Sequence, residues 1–248
     1  MKIANSVPIL INSYAARKPF MDICLFYIDK FFSDNEIYLT IDDNNLNFEN
    51  YKNLNILTYD TIERTSELLH ECHSRYYRHY YTLKYFESLN FKYVINYTDD
   101  GWIETVNYNL INKAINYLDE SNFDRLDLCG PLLDYKLQYI NEDISIVIPT
   151  DCTWYFHNQC AVWRIDTLIK IYETIGSVSD PHLERFGSEL SKNIGCKFMT
   201  FNYHAINNEG CFQRTIGFNK RGVSLLNLYC SETNKDFNEE LIKFNKFI

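Results

Sequence analysis

The sequence predicts an α/β fold: a mostly parallel central sheet flanked by helices, with a more irregular C-terminal half. Three observations predict it. Short continuous apolar runs, Val7-Pro-Ile-Leu-Ile11 and Tyr93-Val-Ile-Asn-Tyr97 among them, have the form of strands buried on both faces. Segments with apolar residues at helical spacing lie between such runs. Hydrophobic residues make up 46% of the 248-residue chain, enough for a sizeable core.

Taken in order, Val7–Ile11 reads as a strand, limited at its start by Pro8. Phe20–Phe32 carries Ile23, Phe26, Tyr27 and Phe31 at helical spacing, and Ser33-Asp34-Asn35 ends it. Glu36–Ile41 is a second strand, closed by Asp42-Asp43-Asn44-Asn45. Asn55–Tyr59 is a third, and Thr61–Ser88 a long helical pattern. Phe91–Tyr97 is the next strand, followed at once by Thr98-Asp99-Asp100-Gly101, and a helix is expected over Thr105–Asp119. Strands and helices in this order signal an α/β sheet. Beyond it, Arg125–Cys129, Tyr135–Tyr139, Ser145–Ile148, Trp154–Trp163 and Lys197–Tyr203 read as extended. Asp166–Ile175 and Pro181–Lys192 read as helices, and the tail from Glu232 is polar with a short helix-like stretch. The chain shows no repeat or linker. It is expected to be one domain, with a nucleotide-binding half over 1–104, a substrate-shaping half over 105–230 and a tail over 231–248.

Charge narrows the partners. A net charge of −9 argues against broad nucleic-acid binding, which needs many cations to neutralise phosphates, and against docking on anionic membranes. Arg75–Tyr81 interleaves bases with aromatics, but Tyr77, Tyr81 and Tyr85 share a helical stripe that reads as core. The eight cysteines contain no C-x-x-C pair and read as reduced thiols. Cys152, His157 and Cys160 fit no common zinc spacing. Val7–Ile11 is too short for a signal core, and no run reaches the roughly 18–20 apolar residues of a spanning helix. A cytoplasmic location without an integral membrane segment is expected.

In open α/β sheets, ligands bind beyond the carboxyl ends of the strands. Asn12-Ser13-Tyr14, Asp42-Asp43 and Thr98-Asp99-Asp100 all fall at such ends. Adjacent carboxylates repel unless a cation or hydrogen-bond donors compensate, and a divalent metal is the usual compensation. Asp-Asp-Gly is also ordinary turn chemistry.

The stretch from Phe91 to Glu104 resembles the strand and D-x-D-type motif of GT-A-fold glycosyltransferases. The resemblance implies a GT-A-like, Rossmann-like sheet and transfer of a sugar from a nucleoside-diphosphate sugar, UDP- or GDP-linked, to a hydroxyl-bearing glycan acceptor. It implies Mn²⁺ or Mg²⁺, with Asp100 as direct ligand, Asp99 in support and Thr98 where the first acid usually stands. The loop Asn12–Arg17 resembles the family's base-binding loop, which implicates Ser13, Tyr14 and Arg17. Asp42, Asp43 and Arg75 fall where donor contacts are often found. His204 is implied as a further metal ligand, and Arg214 and Arg221 as groups closing over the diphosphate. Phe156–Arg164 resembles a segment lining the sugar and acceptor pocket. Trp154 and Trp163 read as core packing or as sugar-stacking surfaces.

An inverting transfer needs a carboxylate apart from the metal pair, to take the acceptor's proton. Asp180–Glu189 offers Glu184 first, then Asp180 and Glu189. The rival readings are metal-dependent nucleotidyl or phosphoryl transfer, with Asp99, Asp100 and Glu104 as the metal cluster, and a nucleotide-sugar-binding module without catalysis.

Overall fold

In a computed structural model, the structure describes residues 7–43, 45–48, 51, 53–58, 75–132, 135–149, 155–157, 159–175, 180–207, 212–213 and 217–247. For residues 75–77, 180–183, 212–213, 217 and 247 it describes the backbone alone.

The first half alternates as the apolar pattern predicts: β1 (Ile9–Asn12), α1 (Lys18–Phe32), β2 (Ile37–Thr40), β3 (Leu54–Leu57), α2 (Arg75–Ser88) and β4 (Tyr93–Tyr97). The second half holds β5 (Thr105–Val106), α3 (Tyr108–Glu120), β6 (Arg125–Asp127), β7 (Lys136–Tyr139), β8 (Ile144–Ile148), β9 (Ala161–Arg164), α4 (Ile165–Ile175), α5 (Asp180–Asn193) and β10 (Phe198–Phe201). After them come β11 (Ile206–Asn207), β12 (Phe212–Gln213), β13 (Gly217–Phe218), α6 (Lys220–Thr233) and α7 (Phe237–Ile242).

One nine-stranded sheet runs β3-β2-β1-β4-β9-β6-β10-β8-β7 through both halves. Strands β3, β2, β1 and β4 are mutually parallel, and β6 and β10 share their direction. Only β9 and β8 run against the rest of that sheet. This is a mostly parallel α/β sheet flanked by helices. Every residue of β1, β2 and β4 is buried, as continuous apolar strands covered on both faces should be.

Each face has its own core. Ile9, Ile11, Ile95 and Leu126 pack with residues of α1, α3 and α6. Leu10, Val94, Trp163 and Phe198 pack with residues of α2, α4 and α5. Of the two readings of Trp163, the structure shows core packing, and Trp154 lies outside the described residues.

The structure revises two expectations. The buried face of α2 carries Arg78, His79, Thr82, Leu83 and Phe86; of the tyrosine stripe, Tyr81 is half-buried against this core, Tyr85 is exposed, and the Tyr77 side chain is not described. These polar side chains meet partners there: Arg78 donates to the Ser13 carbonyl, His79 contacts Asn12, and Thr82 donates to the Arg78 carbonyl of its own helix. Arg221, expected on a closing loop, sits in the first turn of α6. Asn219 caps that helix, accepting from the Gly222 N–H at 2.8 Å. The helix begins within a glycine-bearing stretch that hides its period. Arg214 lies outside the described residues, as does most of the Thr61–Ser88 helical pattern before Arg75.

Candidate active site

The loop after β1 and the loop after β4 meet because their strands are hydrogen-bonded neighbours, Ile11 lying opposite Tyr97. Arg17, at the end of a short 3₁₀ turn, lays its guanidinium across Asp99. Nε reaches Oδ2 and Nη2 reaches Oδ1, both at 2.7 Å. Nη2 also lies 3.2 Å from Asp100 Oδ2. The Ser13 hydroxyl donates to Asp99 Oδ2. The carboxylate pair is therefore compensated from within the chain, by a bidentate cation and a hydroxyl.

The two acids differ in exposure. The Asp99 side chain is 6% exposed and the Asp100 side chain 42%. Burial works against the charge of Arg17, but Asp99 and Asp100 outweigh it and raise the guanidinium's pKa. Its carbon also lies 4.4 Å from the Phe20 ring centre.

The other strand ends join in. Asp42, beyond β2, accepts the Ala15 N–H at 2.6 Å and so pins the Arg17 loop. Asp43 instead accepts the Asn45 N–H at 2.8 Å and shapes its own turn. The Tyr14 ring lies 4.6 Å from the guanidinium carbon of Arg78, which donates to the Ser13 carbonyl at 2.9 Å. Thr98 is half-buried, and its carbonyl closes the turn by accepting the Gly101 N–H at 3.2 Å. Beneath these groups Asn12 accepts from Thr40 at 2.8 Å and contacts His79 at 3.3 Å, and His79 stacks on Tyr172. Arg78, His79 and Thr40 were invisible as site residues in the sequence, since nothing in a helix or strand pattern marks an inward polar side chain.

Other expected residues stand elsewhere. Glu104 pairs with Arg221 at 3.2 Å and accepts from Asn207 at 2.8 Å. His204 is exposed and lies beside Gly130, whose positive φ of 78° turns the chain after β6. Asp180 begins α5, and its side chain is not described, nor is that of Arg75 in α2. Glu189 is exposed, 3.9 Å from Arg185. Among the described residues, no group of three or more His, Cys, Asp and Glu side chains is gathered as a metal cage.

Glu184 is half-buried on α5, near enough for its charge to act on His157. That histidine belongs to a second buried polar cluster, which the sequence did not reveal. Arg125, which opens β6, pairs with Asp127 at its carboxyl end. Asp127 lies level with Asn96 of β4, each opposite Ala161 of β9. Nδ1 of His157 faces Arg125 at 2.8 Å and the Gln159 N–H at 3.2 Å, so it accepts. Nε2 lies 2.6 Å from the Tyr135 hydroxyl and also contacts Arg125. Tyr135 donates in turn to Asp127 at 2.8 Å. Burial and the Arg125 charge hold His157 below the usual histidine range. Burial alone would raise Asp127, yet Arg125, His157 and Tyr135 hold it low. Cys160 is buried nearby with its thiol pushed well up by burial, and Cys152 lies outside the described residues.

No protein-family model matches the chain, and no curated protein sequence matches it. Among solved structures it is similar to a cytidylyltransferase from Leptospira borgpetersenii, at 11% identity over 97% of this chain and 94% of that one, TM-score 0.49. It is similar to a putative nucleotide-diphospho-sugar transferase from Desulfovibrio desulfuricans, at 11% identity over 100% and 97% of the two chains, TM-score 0.46. TarS from S. aureus is similar at 14% identity over 100% of this chain and 43% of that one, TM-score 0.47. Likeness at this level transfers no residue role and no activity.

Proposed function

We propose that the protein transfers a sugar from a nucleoside-diphosphate sugar, UDP- or GDP-linked, to a hydroxyl of a glycan acceptor, with Asp100 and Arg17 at the diphosphate. The observation that carries this reading is the Arg17 fork on Asp99, which leaves Asp100 with one longer contact and an exposed carboxylate. The fork locks Asp99 as a support and makes Asp100 the open oxygen donor beside a fixed cation.

That donor set fits Mn²⁺ or Mg²⁺. Hard cations take carboxylate oxygen and fill the remaining positions with water and substrate phosphate. Asp100 would hold the ion, with Asp99 steadying the loop, and the ion would offset charge on the departing diphosphate. His204 is a further ligand in this reading only if its exposed loop turns inward. Arg17 lies where it can donate to phosphate oxygen while keeping its Asp99 bonds. Ser13, Tyr14 and Asp42 hold the loop from which it projects; Thr98, Asp43 and Arg75 are the remaining donor-side residues. On the acceptor side, Glu184 takes the attacking hydroxyl's proton in an inverting transfer, with Asp180 as the second carboxylate at that helix start. Nucleotidyl transfer through Asp99, Asp100 and Glu104 is less favoured, because Glu104 is engaged by Arg221 and Asn207.

Thermal unfolding with UDP, GDP and other nucleotides, each with and without Mn²⁺, tests the reading. Metal-dependent stabilisation by UDP or GDP is expected, lost in Asp100→Ala. No response to any nucleotide would overturn it. Release of free sugar or sugar transfer from the donor, absent in Glu184→Gln while nucleotide binding persists, separates an enzyme from a binding module. Full activity in that variant removes Glu184 as the base.

A further inference from the structure

A cavity of about 530 Å³ opens on the α1–α6 side of the molecule. Its volume falls in the range of small-molecule pockets. Tyr27, Phe31, Leu225 and Leu228 give it apolar walls, and Leu228 is 43% exposed there. Lys30, Lys220 and Arg221 line it against a single acid, Glu104. This cationic lining stands out on a chain of net charge −9.

The cations are not equivalent. Lys30 is paired with Glu232, and Arg221 with Glu104. Arg221 also donates to the Trp102 and Asn207 carbonyls, which fixes it in place. Lys220 has no acidic partner among the described residues, and it begins α6, where the helix end adds partial positive charge. The lining therefore leaves about one positive charge uncompensated beside an apolar wall.

None of Arg17, Asp99 and Asp100 lines this cavity. Tyr27 and Phe31 lie roughly 15–21 Å along α1 from Arg17, at 1.5 Å per residue.

We propose that this cavity is a second binding site, for a small amphipathic anion: one carboxylate, sulfonate or phosphate group on an apolar or aromatic body. The anionic group meets Lys220 and the start of α6, and the body lies against Phe31 and Leu228. The wall alone would suit any apolar molecule; the uncompensated Lys220 selects the anion. The site does not depend on the glycosyltransferase reading.

Fluorescence titration of the native protein with 8-anilinonaphthalene-1-sulfonate, an aromatic monoanion, tests this. Saturable enhancement at one site per chain is expected. Lys220→Glu should weaken it at least tenfold. Ser224→Trp, which places an indole in the cavity from the next turn of α6, should abolish it. Lys136→Glu on the exposed strand β7 makes the same charge change elsewhere and should leave the affinity unaltered, as should Asp100→Ala. The proposal is overturned by absence of saturable enhancement, by unchanged affinity in Lys220→Glu and Ser224→Trp, or by an equal loss in Lys136→Glu. Because the probe contains no nucleotide, failure here leaves the nucleotide experiment standing, and the reverse also holds.

Discussion

Arg17 bonds both oxygens of Asp99 through two nitrogens, at 2.7 Å each, across 82 residues of sequence. The fork ties the loop after β1 to the loop after β4 and decides which of two adjacent acids is open. Removing Arg17 strands a buried carboxylate. Arg17→Ala should cost about 2 kcal/mol of stability, the scale of hydrogen bonds to a charged group. Arg17→Lys should restore only part, since an ammonium cannot reproduce the fork. Urea unfolding of both, and of Arg17→Ala combined with Asp99→Asn, measures this. The double variant should lose less than the sum of the single losses; strict additivity would mean that the pair is not coupled.

Asp99 and Asp100 should separate stability from binding. Asp100 is exposed and makes one 3.2 Å contact, so Asp100→Ala should change stability by no more than about 0.5 kcal/mol. It should nevertheless lose the metal-dependent nucleotide response. Asp99→Ala should destabilise measurably, because it frees Arg17 and Ser13 together. Melting temperatures of the two variants, with and without nucleotide and Mn²⁺, decide the matter.

Acid should weaken the fold through the Arg125–Asp127–His157–Tyr135 cluster. His157 has a lowered pKa, so the unfolded chain binds its proton first. That contribution is complete above the ordinary histidine value and is lost as pH falls from about 6.5 towards the depressed value. Asp127 is lowered too, and its contribution fades only below the usual carboxylate range. Urea midpoints measured between pH 7.5 and pH 5 should fall for the wild type and fall less steeply for His157→Gln. Parallel slopes would show that another group carries the dependence.

Gly187 is set by packing rather than by backbone conformation. A Cβ there would stand 2.7 Å from Phe156 Cδ1, inside a helix that lies on the buried ring. Gly187→Ala should therefore destabilise by about 1–3 kcal/mol, despite the better helix propensity of alanine. Paired with Phe156→Leu, the loss should shrink. Calorimetry of the single and double variants checks it.

The strand ends carrying Ser13, Asp42 and Asp99 were legible because buried parallel strands write themselves as unbroken apolar runs, and polar residues must follow where the chain leaves the core. Their convergence followed from the strand rule alone. The inner face of α2 was not legible. A helical period reports which positions face inward only while those positions are apolar, and here Arg78, His79 and Thr82 occupy them. The start of α6 was hidden for a related reason: Gly217 and Gly222 bracket it, and the capping Asn219 is a local signal that only an already formed helix turns into structure.

By itself the sequence determined the fold class, the order of the first strands and helices, and the place of Asp99-Asp100 at the end of a buried strand. Those features rest on local pattern, and local pattern is carried by adjacent residues. Only the tertiary structure decided that Arg17 compensates that pair, that Glu104 turns away to Arg221, and that Asp127, Tyr135 and His157 form one network. Each includes a partner at least 22 residues away in the chain. Which donor meets which buried charge is fixed by strand neighbours and loop paths, and the pairing leaves no period in the chain.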